Sequence, residues 1–189
     1  ALIMTPTREL AEQVKDELHL FSGSKKLSII TIYGGVSINP QIDHLPRADV
    51  VVGTPGRLLD HMERGTIDLS KVMLLTLDEA DRMLDMGFID DVEKIISQCP
   101  KERQTLFFSA TISDRIRKLA DRYMQDYVEV KGVRMVDPSK LKQVYFDSPK
   151  NIKLSLLVHL LRSEESGLVM VFCNTRRSTD FVVSNLKTN

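Results

Sequence analysis

The sequence predicts an α/β fold, a parallel β-sheet with helices on both faces. Three observations predict it. Short apolar, often β-branched runs alternate with stretches whose apolar residues recur at helical spacing. One run, Val72–Leu77, is continuously apolar except for Thr76, as a strand buried on both faces should be. Five of the runs end in an unusual polar or glycine-bearing cluster, which places those clusters on one edge of the sheet, the edge where parallel sheets bind ligands.

Ala1–Thr5 is short and apolar, a strand. Arg8–Phe21 carries Leu10, Ala11, Val14, Leu18 and Phe21 on one helical face. Leu27–Tyr33 is β-branched and reads as a strand, and Val50–Val52 as another. A helix is predicted over Pro55–Arg64, then the buried strand Val72–Leu77, then helices over Glu79–Leu84 and Ile89–Gln98. Thr105–Phe108 is a strand, Asp114–Met124 a helix and Tyr127–Val130 a short strand. Around Lys131–Lys140 the pattern lapses, with Gly132, Asp137 and Pro138, and reads as a linker. The alternation then resumes with strand Leu141–Phe146, helix Asn151–Leu161, strand Leu168–Phe172 and a helix over Ser178–Leu186. The expected organisation is a first domain over 1–130, a linker over 131–140 and the beginning of a second domain over 141–189. Roughly fifty residues cannot bury a full doubly wound core, so the second domain is expected to be incomplete. The chain opens at Ala1 inside an apolar run and stops at Asn189 just after a periodic stretch, so both ends are expected to be cut.

Composition narrows the classes. Apolar residues make up 42% and charged residues 28% of the 189, which is globular rather than disordered. The 26 basic residues balance 26 acidic ones, so any nucleic-acid binding must come from local sites. Cys99 and Cys173 lack metal-ligand spacing and read as free thiols in a reducing compartment. Apolar runs of six residues or fewer cannot span a bilayer, and no signal peptide is visible; the expectation is a cytoplasmic protein with no membrane partner. The pattern sets no oligomeric state.

The strand-end clusters carry the chemistry. Thr5-Pro6-Thr7-Arg8 and Gly53-Thr54-Pro55-Gly56-Arg57 share the pattern Thr-Pro-x-Arg. Thr is a good N-cap and Pro a good first helical residue, so both are at least well-capped helices. Helix N-termini also suit phosphate oxygens, and Arg8 and Arg57 would add bidentate partners; the repeat with one Arg offset on one edge favours that reading. Gly34-Gly35 is a simple turn or a place where a nucleic-acid backbone approaches closely. Asp78-Glu79 follows a buried strand, where phosphoryl-transfer proteins hold Mg²⁺, and the adjacent Glu can activate water. A helix dipole accounts for Glu79 and Asp81 as first-turn acids, but not for Asp78 directly after the apolar run. Ser109-Ala110-Thr111 ends a neighbouring strand, where its hydroxyls would meet Asp81; alone it reads as a strand end before a Ser113-capped helix. The Arg115, Arg117 and Lys118 cluster reads as a solvated face. No chemistry is assigned to His19, His44, His61 or His159, and the aromatic residues fall in core patterns, which favours backbone over base recognition.

Pro6-Thr7-Arg8-Glu9-Leu10-Ala11, Gly34-Gly35, Thr54-Pro55-Gly56-Arg57, Asp78-Glu79-Ala80-Asp81 and Ser109-Ala110-Thr111 together resemble the ordered motifs of DEAD-box RNA helicases, and Phe172-Cys173-Asn174-Thr175 resembles the first motif of that family's second domain. The resemblance implies a RecA-like, P-loop-NTPase-type sheet truncated at both ends, with ATP and RNA as ligands. It implies Asp78 and Glu79 at Mg²⁺, largely through water, and at the hydrolytic water, with Ser109, Thr111 and Asp81 coupling nucleotide to RNA. It implies Pro6, Thr7, Arg8, Gly34, Gly35, Thr54, Pro55, Gly56 and Arg57 along the RNA backbone. The family's Gly-Lys-Ser/Thr loop, its adenine-binding Gln motif and its late Arg-rich motif do not occur in the sequence, so the chain alone is expected to show no RNA-stimulated ATPase activity. Two other readings stand beside it: a non-catalytic RNA-backbone clamp, and a related ATPase acting on DNA.

Overall fold

A computed structural model of the chain describes residues 1–132, 141–164 and 167–188. These divide into two compact units, Ala1–Glu129 and Val130–Asn189.

The first unit is built on five parallel strands: β1 (Leu2–Met4), β2 (Ile29–Ile32), β3 (Val50–Gly53), β4 (Leu74–Leu77) and β5 (Gln104–Phe107), in the order β2-β3-β1-β4-β5. The chain winds from β1 out to β2, returns through β3, then crosses β1 to reach β4 and β5. The winding therefore reverses at β1, and the carboxyl ends of β1 and its neighbours border the crevice that such a reversal opens. Between strands lie helices α1 (Arg8–Ser22), α2 (Asn39–His44), α3 (Pro55–Glu63), α4 (Ala80–Asp85), α5 (Ile89–Ser97) and α6 (Asp114–Tyr123), with a 3-10 turn at Leu45–Arg47 after α2.

Side chains of the central strands alternate between two clusters, as a period of two requires. Leu2 and Met4 of β1, Leu75 and Leu77 of β4 and Val51 of β3 join a larger core with Leu58 of α3, Met83 of α4, Ile95 and Ile96 of α5, and Ile116 and Leu119 of α6. Ile3 and Val52 point the other way, to Ala11, Val14 and Leu18 of α1. Burying each Leu or Ile contributes roughly 1.5–3 kcal/mol, so the larger cluster dominates the stability of this unit. Gly53 closes β3 for a steric reason: a Cβ there would meet Leu58 Cγ at 3.0 Å and the Ile32 carbonyl oxygen at 3.1 Å. A side chain at 53 would force Leu58 or the Ile32 carbonyl to give way.

Several sequence expectations are corrected. Tyr127–Val130 forms no strand. In the second unit, Leu141–Phe146 and Leu168–Phe172 are likewise not strands, and Tyr145, Leu168 and Phe172 are almost fully exposed. A strand exists only where a neighbour supplies its ladder, and among the described residues neither segment has one. The helices there do form, as α7 (Lys153–Ser163), entered by a 3-10 turn at Lys150–Ile152, and α8 (Arg176–Thr188), whose first turn is capped by the Thr175 hydroxyl accepting from Ser178 N at 3.1 Å. Of the expected linker over 131–140, residues 133–140 lie outside the described residues. Cys99 is buried, Cys173 is partly exposed, and both are free thiols. Among the described residues no helix is long and apolar enough to cross a membrane.

Candidate functional site

Parallel pairing runs one residue past the strands and so fixes the edge. Thr5 N donates to Gly53 O at 2.9 Å, Thr54 N to Ile32 O at 2.9 Å, Asp78 N to Met4 O at 2.9 Å and Phe108 N to Leu77 O at 2.8 Å. The residues that follow each strand are thereby held side by side, and two groups emerge.

The first lines an open cleft of ≈ 440 Å³. Pro6, Thr7 and Arg8 come from the start of α1, Gly34 from the loop after β2, and Thr54, Gly56 and Arg57 from the start of α3. Pro55 is buried beneath, at the first position of α3. Gly35 is exposed beside the cleft with φ +82°, a conformation that strains any side-chain-bearing residue. The two Thr-Pro-x-Arg junctions differ in detail. Thr7 spends its hydroxyl on the cap, accepting from Leu10 N at 3.3 Å, whereas Thr54 makes no side-chain cap bond. The Arg8 side chain is 58% exposed and pairs with its neighbour Glu9; Arg57 is 11% exposed. Arg57 Nη2 donates to Val36 O at 2.9 Å and Nε lies 3.6 Å from Asp60, while buried Nη1 has no hydrogen-bond partner. An orphaned guanidinium N–H is costly to bury, and an anion oxygen would satisfy it if the side chain turned towards the cleft. Sequence reasoning missed Tyr33, Met86 and Phe88, which also line the cleft. Tyr33 directly precedes Gly34 and was findable; Met86 and Phe88 arrive from the α4–α5 turn with no local signal.

The second group sits at the ends of β4 and β5. Asp78 Oδ1 accepts from Glu79 N at 3.0 Å. Glu79 takes the left-handed conformation, φ 50° and ψ 50°, which is uncommon for a residue with a side chain and a mark of functional sites. Its carboxylate accepts from Arg82 Nη1 at 3.0 Å. Asp81 Oδ2 accepts from both Thr111 N, at 2.9 Å, and Thr111 Oγ1, at 2.8 Å. Asp81 N donates to Ser109 Oγ at 3.2 Å, and Ser109 Oγ donates to Thr111 O at 2.7 Å. The turn after β5 is therefore tied to the first turn of α4 by three hydrogen bonds, and a fourth braces the turn itself.

The carboxylates divide electrostatically. Burial pushes the Asp78 carboxyl above its ordinary value, with the Glu79 charge adding and the Glu79 amide opposing. Burial also acts upward on Asp81, but the hydroxyl and amide of Thr111 with the Ser109 hydroxyl outweigh it and hold that carboxyl low. Among the described residues no three or more His, Cys, Asp and Glu are grouped to hold a metal ion. A partly buried, under-solvated Asp78 beside Glu79 instead suits a hydrated cation, such as Mg²⁺, that takes one or two carboxylates and keeps its waters.

A raised native pKa means the native state binds the proton more tightly than the unfolded chain, so Asp78 subtracts stability as pH rises through its folded value. Asp78→Asn removes the charge and keeps the acceptor for Glu79 N. Thermal melts should show the variant more stable than wild type at neutral pH, with the gain fading towards about pH 3. A gain that is constant across pH, or a loss at neutral pH, would contradict the desolvated-carboxylate account.

The family model of DEAD/DEAH box helicases matches residues 1–119. The probable ATP-dependent RNA helicase of Methanocaldococcus jannaschii is 48% identical over 188 residues, covering 99% of this chain and 50% of that protein. The DEAD-box ATP-dependent RNA helicase CshA of Geobacillus kaustophilus is 45% identical over 95% of this chain and 39% of that protein. Among solved structures, the crystal structure of a DEAD box protein from the hyperthermophile Methanococcus jannaschii aligns with a TM-score of 0.68 and 46% identity, covering 99% of this chain and 50% of that one. The chain thus spans half or less of the length of these relatives.

Proposed function

The chain belongs to the DEAD/DEAH box helicase family, and from that premise we propose that it serves an ATP-dependent RNA helicase, holding the RNA sugar-phosphate backbone in the strand-end cleft and contributing Asp78 and Glu79 to ATP hydrolysis. The observation that carries this reading is the convergence of the motif residues Thr7, Arg8, Gly34, Thr54, Gly56 and Arg57 on one cleft. Two helix N-termini, a glycine loop and the lining residues Arg8 and Arg57 favour phosphate oxygens over base edges, so binding is independent of sequence.

Asp78 fits the Mg²⁺ of an ATP site, because a cation would relieve its desolvated carboxylate. When bound, Mg²⁺ neutralises charge on the phosphate oxygens. Glu79 orients or deprotonates the attacking water, and its position at the entry to α4 sets it directly beside Asp78. The sequence contains no Gly-Lys pair to cradle the phosphates of ATP. Asp81, Ser109 and Thr111 join the nucleotide-facing end of β4 to the turn after β5, and this lock couples nucleotide state to RNA.

The direct test is Arg57→Ala with several unrelated single-stranded RNAs. Affinity should fall by a similar factor for each, and the slope of log affinity against log salt should drop by about one unit, as for a lost phosphate contact. Weakening confined to one base composition would overturn the backbone reading.

A further inference from the structure

The tip of the loop that follows β2 has no side chains to pack, although Tyr33 before it packs against the α1 cluster. Positions 34 and 35 are glycines with no atom within 4 Å of where a Cβ would stand, and Gly35 is held at φ +82°. Hydrogen bonds from outside hold the flanks of this tip, and two of them come from one residue that no motif includes. Gln41 is the buried residue of α2, 8% exposed. Its Nε2 donates to Tyr33 O at 3.3 Å and to Ser37 O at 3.2 Å, the two carbonyls that bracket Gly34, Gly35 and Val36. Arg57 adds the third tie, to Val36 O.

Gln41 is itself aimed by His61 of α3, which is fully buried. His61 Nε2 lies 3.4 Å from Gln41 Oε1, and Nδ1 lies 2.8 Å from Thr66 Oγ1. The donor inventory constrains the roles. Both amide protons of Gln41 are used on carbonyls, so its oxygen faces His61 and His61 Nε2 must carry a proton. Nδ1 of a neutral ring then faces the Thr66 hydroxyl, which also lies 3.1 Å from the His61 carbonyl oxygen. Burial, with the Arg57 charge nearby, lowers the His61 pKa and favours that neutral ring. An apolar residue would fill the same space without the cost of burying an amide and an imidazole, so the polar pair is there for the loop it holds.

We propose that Gln41, oriented by His61, is a positioning residue for the Tyr33–Ser37 loop, setting affinity for the RNA backbone without touching it. This rests on the RNA reading of the cleft, and the experiment separates the two. Gln41→Met keeps length and volume but removes both donors; Gln41→Glu keeps an acceptor for His61 but sets a carboxylate against two carbonyls. Each variant of the 189-residue chain is titrated with fluorescein-labelled oligouridylate, and amide hydrogen exchange is followed in parallel. Arg8→Ala, which lines the cleft without tying the loop, is the control.

The expected result for both Gln41 variants is about tenfold weaker RNA binding and faster exchange across the loop after β2, with the amides of β1, β3 and β4 unchanged. Arg8→Ala should weaken binding and leave loop exchange as it is. If Arg8→Ala weakens binding while the Gln41 variants bind as wild type, the positioning role is wrong and the RNA reading stands. If the loop loosens in the Gln41 variants but neither they nor Arg8→Ala alter binding, the RNA reading of the cleft fails and carries this inference with it. Faster exchange throughout β1, β3 and β4 would also overturn the proposal, because Gln41 would then support the fold at large.

Discussion

Glu79→Gln is expected to lower RNA-stimulated ATP hydrolysis roughly 10²–10⁴-fold in protein expressed from the full reading frame, with RNA affinity in the presence of ATP close to wild type. Gln matches Glu in size and still offers an oxygen to Arg82, whose Nη1 lies 3.0 Å from the Glu79 carboxylate, so the backbone at φ 50° keeps its surroundings. What is lost is the negative charge and the basic oxygen that would take a proton from water. A coupled phosphate-release assay beside an RNA-binding titration reads both quantities. Hydrolysis within about twofold of wild type would remove Glu79 from the chemistry; equal losses in hydrolysis and RNA binding would instead point to local misfolding.

The second large effect belongs to the bond set between α4 and the turn after β5. In the same full-reading-frame protein, Asp81→Ala and Thr111→Val should each leave substantial ATP hydrolysis but reduce duplex separation about tenfold or more, within the usual range of a coupling free energy. The contact is exposed enough for water to replace what is removed, so each change should cost stability only about 0.5–1.5 kcal/mol. The pair should also be non-additive: Asp81→Ala removes both hydrogen bonds to Oδ2 and Thr111→Val only the hydroxyl one, so the double variant should unwind little worse than Asp81→Ala alone. Unwinding and hydrolysis rates measured on the same preparations decide it. Losses that multiply in the double variant would mean that Asp81 and Thr111 act separately.

Much of the fold was legible because burial on both faces leaves a strong mark. Val72–Leu77 contains β4, Val50–Val52 anticipates β3, and each strand end was found within a residue or two. Short, locally ambiguous pieces were not legible. Helix α2 and its 3-10 turn, Asn39–Arg47, contain Pro40 and Pro46 and bury little besides Gln41, so no apolar period announces them. Leu141–Phe146 and Leu168–Phe172 have strand-like composition, but pairing comes from neighbours, which composition does not record.

The site was legible as a set of strand ends and illegible in its division of labour. Two junctions with one sequence pattern look equivalent, yet Arg8 reaches solvent while Arg57 is held under a loop by Val36 and Asp60. The difference is tertiary: the loop after β2 holds Arg57 through Val36 O, whereas Arg8 pairs only with its neighbour Glu9 among the described residues. His61 shows the same limit from the other side. A lone histidine on a helix carries no signal in sequence, and its meaning comes only from Gln41 and Thr66, 20 and 5 residues away.

The central claim is that the carboxyl edge of this sheet is an RNA-backbone surface. Amide hydrogen exchange of the chain with and without a saturating single-stranded RNA tests it most directly. The account predicts slower exchange at the start of α1, in the Tyr33–Ser37 loop and at the start of α3, with α5 unaffected and the same pattern for RNAs of unrelated sequence. Protection confined to α5 or to the solvated face of α6, or protection that moves with RNA sequence, would contradict it.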